Sequence, residues 1–432
     1  MGTPLLVSVD SDSKQLPDLV RARTASNLSD SNTPEGSVIA AQTGRLQKLT
    51  SWVDARIATA DALTPAVDTP TISWAASDVT ALTSPAIIRP AVANIGSNTV
   101  NWDGSTDTVF RYEPGLFQTG AGGNADYALY GMLKPGGEAQ FARWPLVMSF
   151  VTQAANSVVE VAFYSLETNN AIRVEVNGRF TTETLNYTTT PGNGGKFTLT
   201  FPTAASRTIR IWGFGTLGVA QVRIPTGQTL SQPPAPKRRI ALLGDSYLKG
   251  AGSSYPYAST TDQTTFGVRL ARYLGGDSFM LAGIGGTGIN AGSSGNPANN
   301  YATRASIINA RSPQVLVINA SINDGTAAGT LQASTAALLA QFAGIPEVYV
   351  IGGIKASYDA NYAAVKAATL AAGRVYLDLD MLLFGSGKLG NPKGDGTGDF
   401  WVAEDGAHPT ADAHVAIARV AFKSYARARL AA

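Results

Sequence analysis

Arg239-Ile240-Ala241-Leu242-Leu243-Gly244-Asp245-Ser246-Tyr247 decides how the second half of this chain folds. The run Ile240-Ala241-Leu242-Leu243 has no polar face, as expected of a strand covered on both sides in a parallel sheet. Gly244-Asp245-Ser246 then reads as a sharp turn carrying a hydroxyl off the strand's carboxyl end, where open α/β sheets bind their ligands. Far downstream, Asp405-Gly406-Ala407-His408-Pro409 holds one of only two histidines in the 432 residues, three positions after an aspartate. In one tight turn the carboxylate can hold one imidazole nitrogen while the other faces a hydroxyl. Acyl transfer needs that arrangement.

The strand pattern repeats outward from Arg239. Ser278-Phe279-Met280-Leu281-Ala282, Val315-Leu316-Val317-Ile318-Asn319, Val348-Tyr349-Val350-Ile351 and Val375-Tyr376-Leu377-Asp378-Leu379 read as further strands. Helical stretches are expected over 265–275, 300–311, 326–343, 357–372 and 410–430. Continuous apolar strands between amphipathic helices argue for a parallel sheet with helices on both faces.

Three loops past strand ends then carry chemistry, together with the turn before the last helix. Ser246 follows the first strand, Gly285-Gly286-Thr287-Gly288 the second, and Ser321-Ile322-Asn323-Asp324 the third; Asp405 and His408 precede the final helix. A hydrolase of this type needs a hydroxyl nucleophile, a base, a group that holds the base, and donors for the developing oxyanion. Each role has a candidate.

In these blocks the chain resembles the SGNH (GDSL-type) hydrolases over roughly 239–432. The resemblance implies a flavodoxin-like three-layer α/β/α domain and a serine esterase. It assigns the nucleophile to Ser246, oxyanion donors to Gly286 and the Asn323 side chain, and the orienting acid and the base to Asp405 and His408. Gly286 is chosen over Gly285 for its place just before Thr287. The family usually has Gly where Ser321 stands. His414, in His408-Pro409-Thr410-Ala411-Asp412-Ala413-His414, sits where a second histidine is common, after Ala413 rather than Gly; it reads as structural.

Other motifs carry less. Gly283-Ile284-Gly285-Gly286-Thr287-Gly288 matches the dinucleotide-binding glycine pattern, but Ile289-Asn290-Ala291-Gly292 continues as loop where that motif must open a helix. The Gly-x-Ser-x-Gly elbow fails at Leu248. A metal on His408 and His414 is not expected, because a spacing of six does not align side chains on one helix face. No cofactor or metal is expected.

The first half reads differently. Leu146–Val151, Val158–Tyr164, Ile172–Val176, Phe197–Phe201 and Thr208–Trp212 are short β-rich runs, and Asn177-Gly178 is a hairpin signal. They predict an antiparallel β-sandwich, jelly-roll-like, over 71–230. Trp102, Tyr112, Trp144 and Trp212 either stack on sugar rings or fill the core, the more frequent fate. Pro233-Pro234-Ala235-Pro236 falls in a semi-rigid linker, 231–238. Ahead of the sandwich, 1–70 reads as a helical and extended segment. Thr33-Pro34-Glu35 is a helix start. Leu46, Leu49, Val53, Ile57 and Ala60 form one stripe, a coiled-coil seam or a packed face, and Pro65 ends the pattern.

Composition narrows the partners. A net charge of +2 gives no basic face for nucleic acid, and Lys237-Arg238-Arg239 reads as a solvated linker end. Cysteine is absent, which removes disulfides and thiolate chemistry. Met1–Asp10 has neither the basic region nor the apolar core of a secretory signal, and no run is long enough to span a membrane. The expected substrate is an acylated carbohydrate or another small ester, with acetyl favoured over long acyl chains. The layout also resembles some phage tail-fibre proteins. That alternative is a glycan-binding adhesin, virion-associated or otherwise acting outside cells, whose N-terminal segment forms a homo-oligomer such as a trimer or joins tail partners.

Overall fold

Alternation in the first half and unbroken apolar runs in the second produce two kinds of sheet. The computed structural model describes residues 34–76, 79–89, 108–113, 117–119, 128–131, 146–165, 169–188, 194–214, 217–249, 265–276, 278–292, 300–325 and 328–431. Residues 1–33, Trp102 and Trp144 lie outside them, as do the side chains of Leu46 and Tyr112. The chain divides into two compact units, one ending at Ala58 and the other covering Thr59–Ala432.

Helix α1 runs Pro34–Asp61. Thr33 of the expected helix start lies outside the described residues, and Val53 and Ile57 of the predicted stripe are buried. Strands β1 (Thr71–Ala75), β2 (Ala86–Ile88), β3 (Arg111–Glu113), β4 (Phe117–Thr119), β5 (Ala128–Gly131), β6 (Leu146–Thr152) and β7 (Val158–Ser165) come next. They are followed by β8 (Asn169–Val176), β9 (Arg179–Thr188), β10 (Gly194–Thr200), β11 (Thr208–Phe214), β12 (Leu217–Ile224) and β13 (Leu230–Ser231). One antiparallel sheet has the order β1-β10-β7-β12-β2. The other runs β13-β6-β11-β8-β9, with β3 also paired to β6. Asn177 and Gly178 turn β8 into β9 with φ of 50° and 82°, the left-handed pair a two-residue hairpin of this kind requires.

Period-two alternation decides which side chains enter the core. Val159, Val161 and Phe163 of β7 and Phe197 and Leu199 of β10 point inward; so do Ile172 and Val174 of β8 and Ile209 and Ile211 of β11. Glu160 and Lys196 lie on the opposite face of this sheet, where they are also buried and pair with each other at 2.8 Å.

The second half follows as β14 (Arg239–Gly244), α2 (Ser246–Lys249), α3 (Phe266–Tyr273), β15 (Ser278–Gly283), α4 (Ala305–Ala310), β16 (Val315–Asn319), α5 (Ala328–Ala340) and β17 (Glu347–Gly352). It ends with α6 (Asp359–Ala371), β18 (Val375–Asp378), α7 (Gly398–Trp401) and α8 (Ala411–Ala431). The order β15-β14-β16-β17-β18 is wholly parallel, the doubly wound 2-1-3-4-5 arrangement. The fold is thus an α/β domain with a wholly parallel sheet and flanking helices, preceded by antiparallel sheets. One difference from expectation is that the predicted helix over 300–311 begins as a 3-10 turn, Tyr301–Arg304, before α4.

The antiparallel region is welded to the parallel one. Trp212 of β11 is buried, donates its indole N–H to Glu175 at 3.1 Å, and packs 5.5 Å from the Phe279 ring on β15. It is therefore enclosed, not presented to a sugar. Arg272 of α3 lies 3.3 Å from Glu175 and 4.4 Å over the Phe180 ring, and donates to the carbonyls of Ala60 and Gly178. Burial raises the Glu175 carboxyl, but the charges of Arg210 and Arg272 and the Trp212 hydrogen bond outweigh it, so Glu175 titrates below its usual range. The linker is held as well, because Arg111 donates to the carbonyls of Pro233 and Pro234. Removing one partner of a buried ion pair costs ~3–5 kcal/mol. Arg272→Met should therefore lower the unfolding free energy by about 3 kcal/mol in a urea titration, near the bottom of that range because Arg210 remains. A loss below ~1 kcal/mol, the scale of an exposed pair, would show that the contact does not hold the two regions together.

Candidate active site

The site lies at the carboxyl edge of the parallel sheet. β14 ends at Gly244, where an added Cβ would lie 2.7 Å from Leu248 Cβ and 3.2 Å from Asn319 Cβ. Only glycine lets β14 and the start of α2 approach so closely. Asp245 comes next, fully buried. Its carboxylate accepts from the Tyr247 backbone N–H at 2.9 Å, Asn319 Nδ2 at 3.0 Å, Ser321 Oγ at 2.9 Å and the Ile322 N–H at 3.2 Å. Burial drives this carboxyl above its ordinary value despite those donors. Asp245 fixes the turn on which Ser246 stands.

Ser246 Oγ is 2.9 Å from His408 Nε2, and His408 Nδ1 is 2.7 Å from Asp405 Oδ2. With a proton on Nδ1 donating to Asp405, Nε2 is left to accept from the Ser246 hydroxyl. The other oxygen of Asp405 accepts the backbone N–H groups of Ala407 at 2.9 Å and His408 at 3.0 Å. Burial pushes the Asp405 carboxyl up, but these backbone donors and His408 hold it below its usual value. The turn is fastened from outside. Lys355 Nζ donates to the Gly406 carbonyl at 2.9 Å, the Tyr247 hydroxyl donates to the Ala407 carbonyl, and the Ala403 N–H donates to the His408 carbonyl at 2.8 Å.

The second and third blocks meet beside this chain of contacts. Residues 284–287 form a turn in which the Thr287 N–H reaches the Ile284 carbonyl at 3.4 Å and Gly286 is exposed with φ of 71°. Asp324, also buried, receives the N–H groups of Ile289 at 2.9 Å, Asn290 at 2.8 Å and Ala291 at 3.0 Å, and so ties the two blocks together. Asn323 Nδ2 donates to the Thr287 carbonyl at 2.9 Å. Ser321 Oγ lies 2.9 Å from both Asp245 and the Thr287 carbonyl, and accepts from the Asn323 N–H at 2.9 Å. Ser321 is therefore the link between Asp245 and the Asn323 loop.

All five sequence candidates thus lie at one sheet edge, with Ser246, His408 and Asp405 in one hydrogen-bonded line. Asp245, Ser321 and Asp324, which hold them, were given no role in the site by the sequence. Ser321 carried a signal in its departure from glycine; Asp245 and Asp324 acquire their roles only from distant partners. His414 is buried behind the site, accepts the Phe266 N–H at 3.3 Å and stacks on its ring. Among the described residues no group of His, Asp and Glu is placed to hold a metal ion, and no helix is long and apolar enough to cross a membrane.

No family model matches the chain, and no curated protein sequence matches it. Solved structures do. A family two carbohydrate esterase from Clostridium thermocellum superposes with a TM-score of 0.54 at 14% identity, over 75% of this chain and 99% of that one. An acetyl xylan esterase from the rumen bacterium Butyrivibrio proteoclasticus gives 0.53 at 12%, over 81% and 99%. A salicylyl-acyltransferase from a tetracycline biosynthetic pathway gives 0.56 at 14%, over 75% and 97%. At these identities the likeness establishes the fold, shared across both the antiparallel and the parallel regions.

His414 gives the site's surroundings a pH signature. Burial pushes its imidazole down to about 3, and the His408 and Arg269 charges add to the effect. The unfolded chain binds that proton near ~6.5. The contribution to stability is therefore complete above about pH 6.5 and is lost progressively as pH falls toward 3. His414→Asn should show a flatter dependence of melting temperature on pH across that window. An unchanged slope would mean that other groups set the acid sensitivity.

Proposed function

We propose that the chain is a serine esterase that removes short acyl groups, acetyl foremost, from an acylated carbohydrate. The observation that carries the reading is the line Ser246 Oγ–His408 Nε2–His408 Nδ1–Asp405, at 2.9 and 2.7 Å. Such a line does one thing well: it removes a hydroxyl proton while the imidazolium that results is stabilised. His408 takes the Ser246 proton as Oγ attacks the ester carbonyl. The resulting oxyanion is met by the backbone N–H groups of Ser246 and Gly286 and by the Asn323 amide, whose Nδ2 is held 2.9 Å from the Thr287 carbonyl and 3.2 Å from Ser321 Oγ. His408 returns the proton to the leaving alcohol, and an acyl-Ser246 remains. Water then gives a proton to His408 and attacks the acyl carbon; the acyl–Oγ bond breaks, the carboxylic acid leaves, and His408 returns the proton to Ser246 Oγ.

Support for a carbohydrate ester comes from the esterases that share this fold over most of the chain. The acyltransferase neighbour shows that the same framework serves acyl transfer. For the N-terminal segment, the 28-residue α1 is the observation consistent with self-association. Light scattering on the full chain should then give a multiple of the 44.9 kDa protomer mass.

The test is hydrolysis of p-nitrophenyl acetate and of acetylated glycans, with a fluorophosphonate probe reporting on Ser246. Asn323→Ala should lower kcat by ~10²–10³. Ser246→Ala should lower it further and abolish labelling. Wild-type turnover by the Ser246→Ala variant, or no labelling of the wild type, would remove the esterase reading; binding of acetylated glycans by a protein that does not label would instead favour the adhesin.

A further inference from the structure

We infer that Arg304 is a positioning residue that sets the spacing between the two backbone oxyanion donors, Ser246 N–H and Gly286 N–H. The inference rests on the esterase reading above. Arg304 closes the 3-10 turn before α4, and only 1% of it is exposed. Its Nη1 donates to the Gly244 carbonyl at 2.8 Å and to the Ala282 carbonyl at 2.6 Å, and its Nη2 donates to Thr287 Oγ1 at 2.9 Å. The Tyr301 ring lies under the guanidinium at 4.7 Å.

Those three oxygens belong to different pieces of the site. Gly244 ends β14, two residues before Ser246. Ala282 stands near the end of β15, just ahead of the turn that presents Gly286. Thr287 closes that turn, and its hydroxyl passes the contact on to the Ile284 carbonyl at 2.8 Å, across the turn's mouth. The Gly244 carbonyl also accepts the Ile284 N–H at 3.2 Å, so the two strand ends meet at the same point. One planar fork therefore holds the strand that delivers the nucleophile and the loop that delivers the second donor.

The choice of residue supports this role. A buried cation is costly, and among the described residues no carboxylate forms an ion pair with Arg304. An apolar side chain would fill the space without that cost. What it would not supply is a rigid array of donors aimed at three oxygens, which Lys also lacks because its ammonium is a point charge on a flexible stem. A donor pair that clasps an oxyanion must keep its separation to a fraction of an ångström, and a shift of ~1 Å can cost ~10² in rate.

The experiment compares Arg304→Lys and Arg304→Met with the wild-type protein in three measurements. On p-nitrophenyl acetate, kcat should fall about 10- to 100-fold in R304K and further in R304M. KM should stay within about 3-fold of wild type, because ground-state binding does not use the oxyanion donors. Amide hydrogen exchange should accelerate at 284–288 and 244–247 and stay unchanged in β16 and β17. Thermal melting reports how much of each change is global. If R304M does not fold, R304K carries the test. Unchanged kcat and unchanged local exchange in R304K would overturn the inference. So would exchange that accelerates equally throughout the sheet, which would make Arg304 a core brace and nothing more. A wild-type protein that neither hydrolyses the ester nor reacts with a fluorophosphonate would sink the esterase reading instead, and the exchange pattern would still decide whether Arg304 fixes the turn.

Discussion

A single buried carboxylate, Asp245, is the knot on which this site depends. It sits at the end of β14 and collects donors from the residue after Ser246, from the end of β16 and from the loop that follows β16. The donors from β16 and its loop come from chain more than 70 residues away. An unsatisfied carboxylate in that position would be costly, so the two strand ends are obliged to meet in one register. With the register set, Ser246 is aimed outward, and the turn at 405–408 needs only to swing in from the approach to α8 to complete the line.

The same logic operates on the far side of the loops. Asp324 gathers three consecutive backbone N–H groups of the second block, and Arg304 gathers oxygens from β14, β15 and Thr287. An anion organises donors and a cation organises acceptors, one on each side of the Gly286 turn. Loops that carry chemistry are often loose, but here the backbone of 284–291 is satisfied almost residue by residue. That rigidity is what a site built to bind a developing charge requires, since donors already in place need no reorganisation during the reaction.

Much of this was legible in the sequence for identifiable reasons. Strands β14, β15, β16 and β17 announce themselves because burial on both faces forces unbroken apolar runs. Ser246, Asp405 and His408 stand out because the turn chemistry is local and histidine is scarce. Arg304 was illegible: within a helical stretch it looks like any solvated arginine, and only the fold brings Gly244, Ala282 and Thr287 to it. Strand β12 was also missed, because a bulge between Val219 and Gln221 breaks its alternation. Trp212 shows the opposite limit. An aromatic on a strand may meet sugar or protein, and its sequence neighbours do not say which; Glu175 and Phe279 settle the matter by enclosing it.

The packing of Trp212 on Phe279 bears on how such a protein can be taken apart. β15 is the outer strand of the parallel sheet, and its flank is covered by β11 and the Glu175–Arg272 pair rather than by water. Cutting the polypeptide at its proline-rich joint would strip that cover and leave an oily, half-charged scar on the excised piece. The two halves are therefore poor candidates for shuffling as interchangeable cassettes: whatever is grafted in front of β14 must bring its own cap for that flank.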